Sequence, residues 1–321
     1  MTVHNDPTTT TEHDLVVHDG TLVRWRPADG GAFTGGLVRE GLVWSLAGVP
    51  GVDGDVLAAC LAVRDHGLDF LAEQVTGASA DAPVPLEDVE FGSPLTRPDK
   101  ILCLGLNYAD HASEAGFEPP EYPIVFSKFR NSLVGPRDPI VLPRTSTQVD
   151  FEGELAVIIG RRAKYVDRAD ALAHVGAYAV CNDVSARDLQ LRTSQWTQGK
   201  ALDTFAPLGP GLVPAELVGD PQDLLVTTTV SGQVMQRDST SLMIFDIAET
   251  VAYLSSVMTL EPGDVIATGT PAGVGLKQDP PRFLADGDVV EVAIEGIGTI
   301  RNPVVAEPRD DDSAGGPPDA P

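Results

Sequence analysis

From Lys100 onward, apolar residues gather into short runs of the length of buried strands, at 101–106, 124–126, 151–159, 178–182, 225–230, 265–268 and 289–294. Turn sequences such as Glu261-Pro262-Gly263-Asp264 and Glu295-Gly296 punctuate them. One helical period stands out: Ile244, Ile247, Val251, Leu254 and Met258 recur at three- and four-residue steps behind a run of Ser and Thr. Short strands, few helices and no regular βαβ alternation predict an α+β, β-rich domain. The texture before Lys100 differs. Strands are expected at 22–25 and 37–46, and Asp53 is placed to cap an apolar helical stretch through Leu57, Cys60 and Leu61. His66-Gly67 interrupts that stretch before 68–75, and GASADAPVPL at 77–86 reads as a linker. The predicted organisation is a disordered tail at 1–13, a small N-terminal α/β domain at 14–92, the main β-rich domain at 93–306, and a disordered acidic, Pro- and Gly-rich tail at 307–321.

Composition narrows the partners. The 321 residues carry 47 Asp and Glu against 22 Lys and Arg, a formal charge of −25. With no basic stripe to displace counterions, binding to nucleic acid or to an anionic membrane surface is not expected. An anionic substrate needs a metal or a few placed cations in such a chain. Cys60, Cys103 and Cys181 are odd in number and form no CxxC, which argues against a disulfide framework or a zinc site and fits a reducing cytoplasm. The N-terminus has no basic and apolar signal pattern, and no apolar run approaches the roughly 18 residues of a membrane helix.

The sharpest local feature is DFEGELAVIIG at 150–160. Alternate strand residues share a face, so Glu152 and Glu154 point the same way, about 7 Å apart along the strand. Gly153 leaves the other face free for close packing. Two like charges beside a buried apolar run are costly unless a cation neutralises them. Asp183, in Cys181-Asn182-Asp183-Val184, closes the next predicted strand and makes a third acid. An all-oxygen set of this kind suits Mg²⁺, or Mn²⁺ or Ca²⁺, rather than zinc. A helix after Asp183 would bring Arg187 and Gln190 onto its face at i+4 and i+7. In GLNYADHASE at 105–114, His111 and Glu114 are spaced i,i+3, so on a short helix the carboxylate orients the imidazole as a general base requires. Gly116, Pro119 and Pro120 beside them suggest a mobile lid. Lys200 sits among small and rigid residues in QGKALDTFAPLGP at 198–210. TGTPAGVG at 268–275 offers hydroxyls and backbone amides to an anion but lacks P-loop spacing.

In this order the motifs GLNYADHASE, DFEGELAVIIG, CNDVSARDLQ, QGKALDTFAPLGP and TGTPAGVG resemble the fumarylacetoacetate hydrolase family over roughly Lys100 to Val305. The resemblance implies a mixed β-roll or sandwich-like catalytic fold, a Mg²⁺ or Mn²⁺ site and a homodimer. It makes Glu152, Glu154 and Asp183 the metal ligands, His111 and Glu114 a lid dyad, and Lys200 the active-site lysine. Thr270, Arg187 and Gln190 become substrate contacts. Lys128, a further substrate contact on this resemblance, falls where the family has Lys-Pro, but Phe129 follows it here. The leading expectation is hydrolytic C–C cleavage of an acylpyruvate such as fumarylpyruvate. The alternative is decarboxylation or isomerisation of a 2-oxo or hydroxymuconate-type acid such as oxaloacetate. A non-catalytic metal-binding scaffold would leave His111, Glu114 and Lys200 without purpose.

Overall fold

The structure, a computed structural model, describes residues 15–78, 82–116 and 118–308. The strand Gly153–Ile159 shows how its core is organised, because all its residues are buried and alternate side chains enter different cores. Leu155, Val157 and Ile159 join one apolar cluster, while Ala156 and Ile158 join a second. A strand covered on both faces needs apolar side chains throughout, which is why its sequence is a continuous run. Each buried Val, Leu or Ile contributes about 1.5–3 kcal/mol of transfer free energy.

Around this strand a twelve-stranded sheet is assembled. Gly153–Ile159 pairs antiparallel with Val175–Asn182 and with Val265–Ala267. Val265–Ala267 runs parallel to Ile101–Gly105, which pairs in turn with Ile124–Lys128. On the other side, Val175–Asn182 pairs with Ala206–Pro214, and that strand meets Leu22–Pro27 through Leu22 and Leu212. Residues 22–92 therefore extend the same sheet. Their helices Val56–His66 and Leu68–Ala78 cover its outer face, where Cys60, Val63 and Leu71 pack with Ala156, Ile158 and Ala177. A five-stranded sheet covers the inner face, with Val226, Val292 and Ile300 packed among Leu155 and Val157. The fold is mixed α+β and strand-rich.

Several expectations shift in detail. The strand expected at 37–46 is two, Thr34–Arg39 and Leu42–Ser45, because Glu40 and Gly41 take φ of 54° and 74° and turn the chain. The helix cap is Asp55, whose carboxylate accepts the Ala58 N–H at 2.9 Å; Asp53 instead accepts the Gly48 N–H. Gly67, at φ 89°, ends that helix where the interruption was expected. Of the expected linker, residues 77 and 78 finish a helix and Val84–Pro85 is a strand, while 79–81 lie outside the described residues. The late helix is Ile247–Val257, capped by Asp246, so Ile244 and Met258 flank it. Except for Glu307 and Pro308, the expected tails also lie outside the described residues; Glu307 is fixed by its N–H on Leu142 O at 3.1 Å.

Candidate metal centre and its cavity

Glu152, Glu154 and Asp183 each offer a carboxylate oxygen to a cluster whose atoms lie within 4.8 Å of one another, and all three residues are buried. The sheet sets this convergence. Gly153 pairs with Asn182 at the ends of adjacent strands, which brings the residues that follow and precede them together. The Asp183 N–H then donates to Glu152 O at 2.8 Å, and the Glu152 N–H to Asn182 Oδ1 at 3.0 Å. Gly153 is required here: a Cβ would lie 2.2 Å from Thr228 Oγ1 of the second sheet.

Three buried cations answer the acids. Lys200 Nζ donates to Glu152 Oε2 and Asp183 Oδ2, both at 2.6 Å. Lys128 Nζ contacts Asp183 Oδ1 at 2.8 Å and donates to Val184 O at 2.9 Å. Arg187 spans Asp150 Oδ2 at 2.8 Å and Glu152 Oε1 at 2.6 Å. With Asp150 included, four carboxylates face three cations and leave one negative charge uncompensated.

That charge falls on Glu154. Its Oε2 accepts the Gly269 N–H at 2.9 Å, but its buried Oε1 has no hydrogen-bond partner. Burial first, then Asp183 and Glu152, push its carboxyl well above the ordinary value. For Glu152, burial is outweighed by Lys200 and Arg187, and its carboxyl lies below the ordinary range. Burial pulls Lys200 down, yet Asp183 and Glu152 more than offset this and hold the ammonium above its ordinary value. An orphaned oxygen on an oxygen-only donor set is the chemistry of a hard divalent cation, and these residues fit one.

The centre opens into a cavity of about 270 Å³ whose wall includes His111, Arg187, Gln190, Trp196 and Lys277. His111 and Glu114 lie on the helix Ala109–Ala115, with Nδ1 and Oε2 3.5 Å apart, a loose contact. Glu114 also accepts the Gly273 N–H at 3.2 Å, which ties this helix to the 268–275 loop. Trp196 closes one side over Gly105, where a Cβ would meet the indole at 2.3 Å, and packs edge-on to Phe126.

Some expected roles change on this geometry. Asp183 precedes an extended pair, Ser185–Ala186, and the helix Arg187–Gln190 is a single turn. Arg187 and Gln190 therefore meet through their own i,i+3 contact, Nη1 to Oε1 at 3.0 Å, rather than on a helix begun at Asp183. Lys128, expected to touch substrate, is 2 % exposed and points at the back of Asp183, outside the cavity wall. Thr270 lines the cavity, but its hydroxyl donates to Gly153 O at 2.9 Å and accepts from Gln236 Nε2 at 2.7 Å. The amides of the 268–275 loop do bind anions, and the anions are the protein's own: Gly269 holds Glu154, Gly273 holds Glu114 and Gly275 holds Asp150.

No sequence motif marks Asp150, Gln236 or Lys277 for a role. Asp150, beside the acidic pair in the same motif, was the one within reach, since a buried acid at a strand end needs a partner. Cys60, Cys103 and Cys181 are free and buried, and burial raises their thiols, so none is poised as a nucleophile.

Fold and centre together define a strand-rich enzyme class with three acids, from adjacent strand ends, placed where they could hold a metal ion. The sequence model described as Fumarylacetoacetate (FAA) hydrolase C-terminal matches residues 100–305, and the chain belongs to that family. It is 50 % identical over 224 residues, 69 % of this chain and 71 % of the relative, to the protein named oxaloacetate tautomerase FAHD2A, mitochondrial, of Bos taurus. Among solved structures, 2-hydroxyhepta-2,4-diene-1,7-dioate isomerase from Mycobacterium marinum superposes with a TM-score of 0.71 at 37 % identity, covering 91 % of this chain and 100 % of that one. Maleylpyruvate hydrolase from Sphingobium sp. SYK-6, in complex with manganese(II) ion and pyruvate, gives 0.73 at 31 % identity, covering 90 % and 100 %. No helix among the described residues is long and apolar enough to cross a membrane.

Proposed function

We propose that the chain catalyses divalent-metal-dependent keto–enol interconversion of a small 2-oxo dicarboxylic acid, with oxaloacetate as the reference substrate. The observation that carries this is the orphaned Glu154 Oε1 in an all-oxygen triad that opens on a cavity walled by His111. The 50 % identity to a protein named an oxaloacetate tautomerase supports it. Glu152, Glu154 and Asp183 hold Mg²⁺ or Mn²⁺, which supplies Lewis acidity toward the 2-oxo carboxylate. The remaining work belongs to the chain's own side chains. Arg187 Nη2 is buried without a partner on a residue that lines the cavity, and it binds the substrate carboxylate. Lys200 stays protonated and donates hydrogen bonds to the oxygen on which negative charge builds. His111, whose Nδ1 faces Glu114 at 3.5 Å, exchanges the C3 proton through Nε2.

The test follows the ultraviolet decay of enol oxaloacetate with full-length protein and Mg²⁺ or Mn²⁺. Acceleration that disappears on chelation and returns on adding metal supports the reading; decay at the buffer rate rejects it. Hydrolytic C–C cleavage of an acylpyruvate, the first expectation from the sequence, stays as the second reading. It uses the same groups, with His111 activating water, and its support is the 31 % identity to a maleylpyruvate hydrolase. Two fragments from an acylpyruvate, identified by mass, would favour it.

A further inference from the structure

A second recess lies where Leu22–Pro27 and Val89–Gly92 meet the segment 130–138, and it encloses about 480 Å³. Its charge runs against that of the chain. Arg24, Arg26, Arg130 and Arg137 line it, against only Glu90 and Asp138, in a protein whose acids outnumber its bases more than two to one.

The arginines are positioned rather than scattered. Arg24 and Arg26 alternate on one strand, so they share a face, and both guanidinium groups stack on the Phe33 ring, 4.3 and 4.7 Å from its centre. Gly92 makes the room: a Cβ there would stand 2.5 Å from Arg24 Nη1 and 3.0 Å from the Phe33 ring. Glu90 neutralises Arg26, with Nε to Oε2 at 2.7 Å. Asp138 caps its own turn, where its carboxylate accepts the Gly135 N–H at 2.6 Å, and its charge also acts on Arg24 without reaching ion-pair distance. Among the described residues, no carboxylate stands at ion-pair distance from Arg24, Arg130 or Arg137. Gathering like charges around one aromatic ring is unfavourable until an anion enters, and guanidinium forks match the paired oxygens of phosphoryl and carboxylate groups.

We propose that this recess is a binding site for a small, multiply charged oxyanion, phosphoryl or polycarboxylate, separate from the metal centre. Arg24 and Arg26 from the strand Leu22–Pro27 and Arg130 and Arg137 from segment 130–138 line it together. Occupancy thus joins the N-terminal strands to the catalytic half of the sheet.

The experiment titrates inorganic pyrophosphate, and separately tricarballylate, into full-length protein stripped of divalent ions, by calorimetry at low ionic strength. One saturable site is expected for at least one probe, and which probe binds identifies the oxyanion type. Arg137→Glu, on an exposed side chain whose loss leaves the fold intact, weakens that site at least tenfold, and Arg24→Met does the same. Arg39→Glu makes the same charge change on an exposed arginine outside the recess and leaves the affinity within twofold. The proposal is overturned if neither probe saturates, if Arg137→Glu and Arg24→Met bind like wild type, or if Arg39→Glu weakens binding equally. It is also overturned if Arg137→Glu splits an oligomer by sedimentation, because the recess is then a contact between copies of the chain.

Discussion

The two ends of the catalytic cavity are built to different standards of order. At the closed end, Glu152, Glu154, Asp183, Arg187 and Lys200 are buried, and every charge but that on Glu154 is met by an opposite charge. Even the turn that carries the mouth is anchored there, since Asp150 accepts the Gly275 and Leu276 N–H groups at 2.7 and 3.0 Å. At the open end, Leu191 is 66 % exposed and Lys277 extends from that turn into solvent, whereas His111, 8 % exposed, belongs with the buried end. Bond-making chemistry needs fixed positions, while capture and release need groups that can move. The difference predicts that damage at the closed end removes turnover, and damage at the mouth changes which substrate is held.

The harshest break of this comparison is Asp183→Asn. It takes a ligand from the triad and an acid from both lysines, so turnover should fall by about 10³-fold or more, with metal content falling in parallel. Elemental analysis beside the kinetics checks it; a variant that keeps metal and rate would mean that the triad is only an ion-pair network. His111→Ala comes next. About 10²–10⁴-fold of turnover should go, the range of a general acid–base group, while metal stoichiometry stays whole. Glu114→Gln should cost less, since Gly273 still holds that side chain. Equal losses in the two variants would mean that Glu114 does more than position the imidazole.

Glu154 supplies a gentler test. Burial, Asp183 and Glu152 hold its carboxyl well above the ordinary value, so in metal-free protein it keeps its proton to higher pH and the metal competes with that proton. Apparent metal affinity should therefore rise with pH, by up to about tenfold per unit for one proton, until the carboxyl is ionised. Stability has the opposite sign without metal. A raised folded value means that the folded state binds more protons than the unfolded state, so stability is full below the unfolded value and is lost as pH climbs through the folded one. Added metal should reverse that slope. Calorimetry in buffers of different ionisation enthalpy reads the released proton, and no buffer dependence would place the orphaned charge elsewhere.

The sequence made parts of this legible because they are local. Gly153–Ile159 announces burial on two faces through its composition, and Glu152 and Glu154 announce themselves by standing at its head. What distant pairing decides was hidden. Ala206–Pro214 holds Pro207, Gly209, Pro210, Gly211 and Pro214, a composition that argues against an interior strand, yet it lies between Leu22–Pro27 and Val175–Asn182. Lys128 stands two residues past the expected strand at 124–126, with no signal for which side of Asp183 it would approach. The helix expected to carry Arg187 and Gln190 is cut short by the pairing of Ser185–Ala186 with Val149–Asp150, residues about 35 positions away along the chain.

Lys277→Met should give the smallest effect and the sharpest one for the comparison. Lys277 has no acidic partner among the described residues, and its side chain lines the mouth opposite the metal end. On the proposed reading it meets the second carboxylate of a 2-oxo dicarboxylic acid. An exposed charge-assisted hydrogen bond is worth about 1–1.5 kcal/mol, which is about tenfold in affinity. KM for oxaloacetate should rise by about that factor while kcat stays within about twofold, since a group that holds ground and transition states alike changes only binding. Inhibition by oxalate, which has only the head-group pair of carboxylates, should be untouched. If kcat falls with KM unchanged, Lys277 acts in the chemical step, and the mouth is no less committed to catalysis than the closed end.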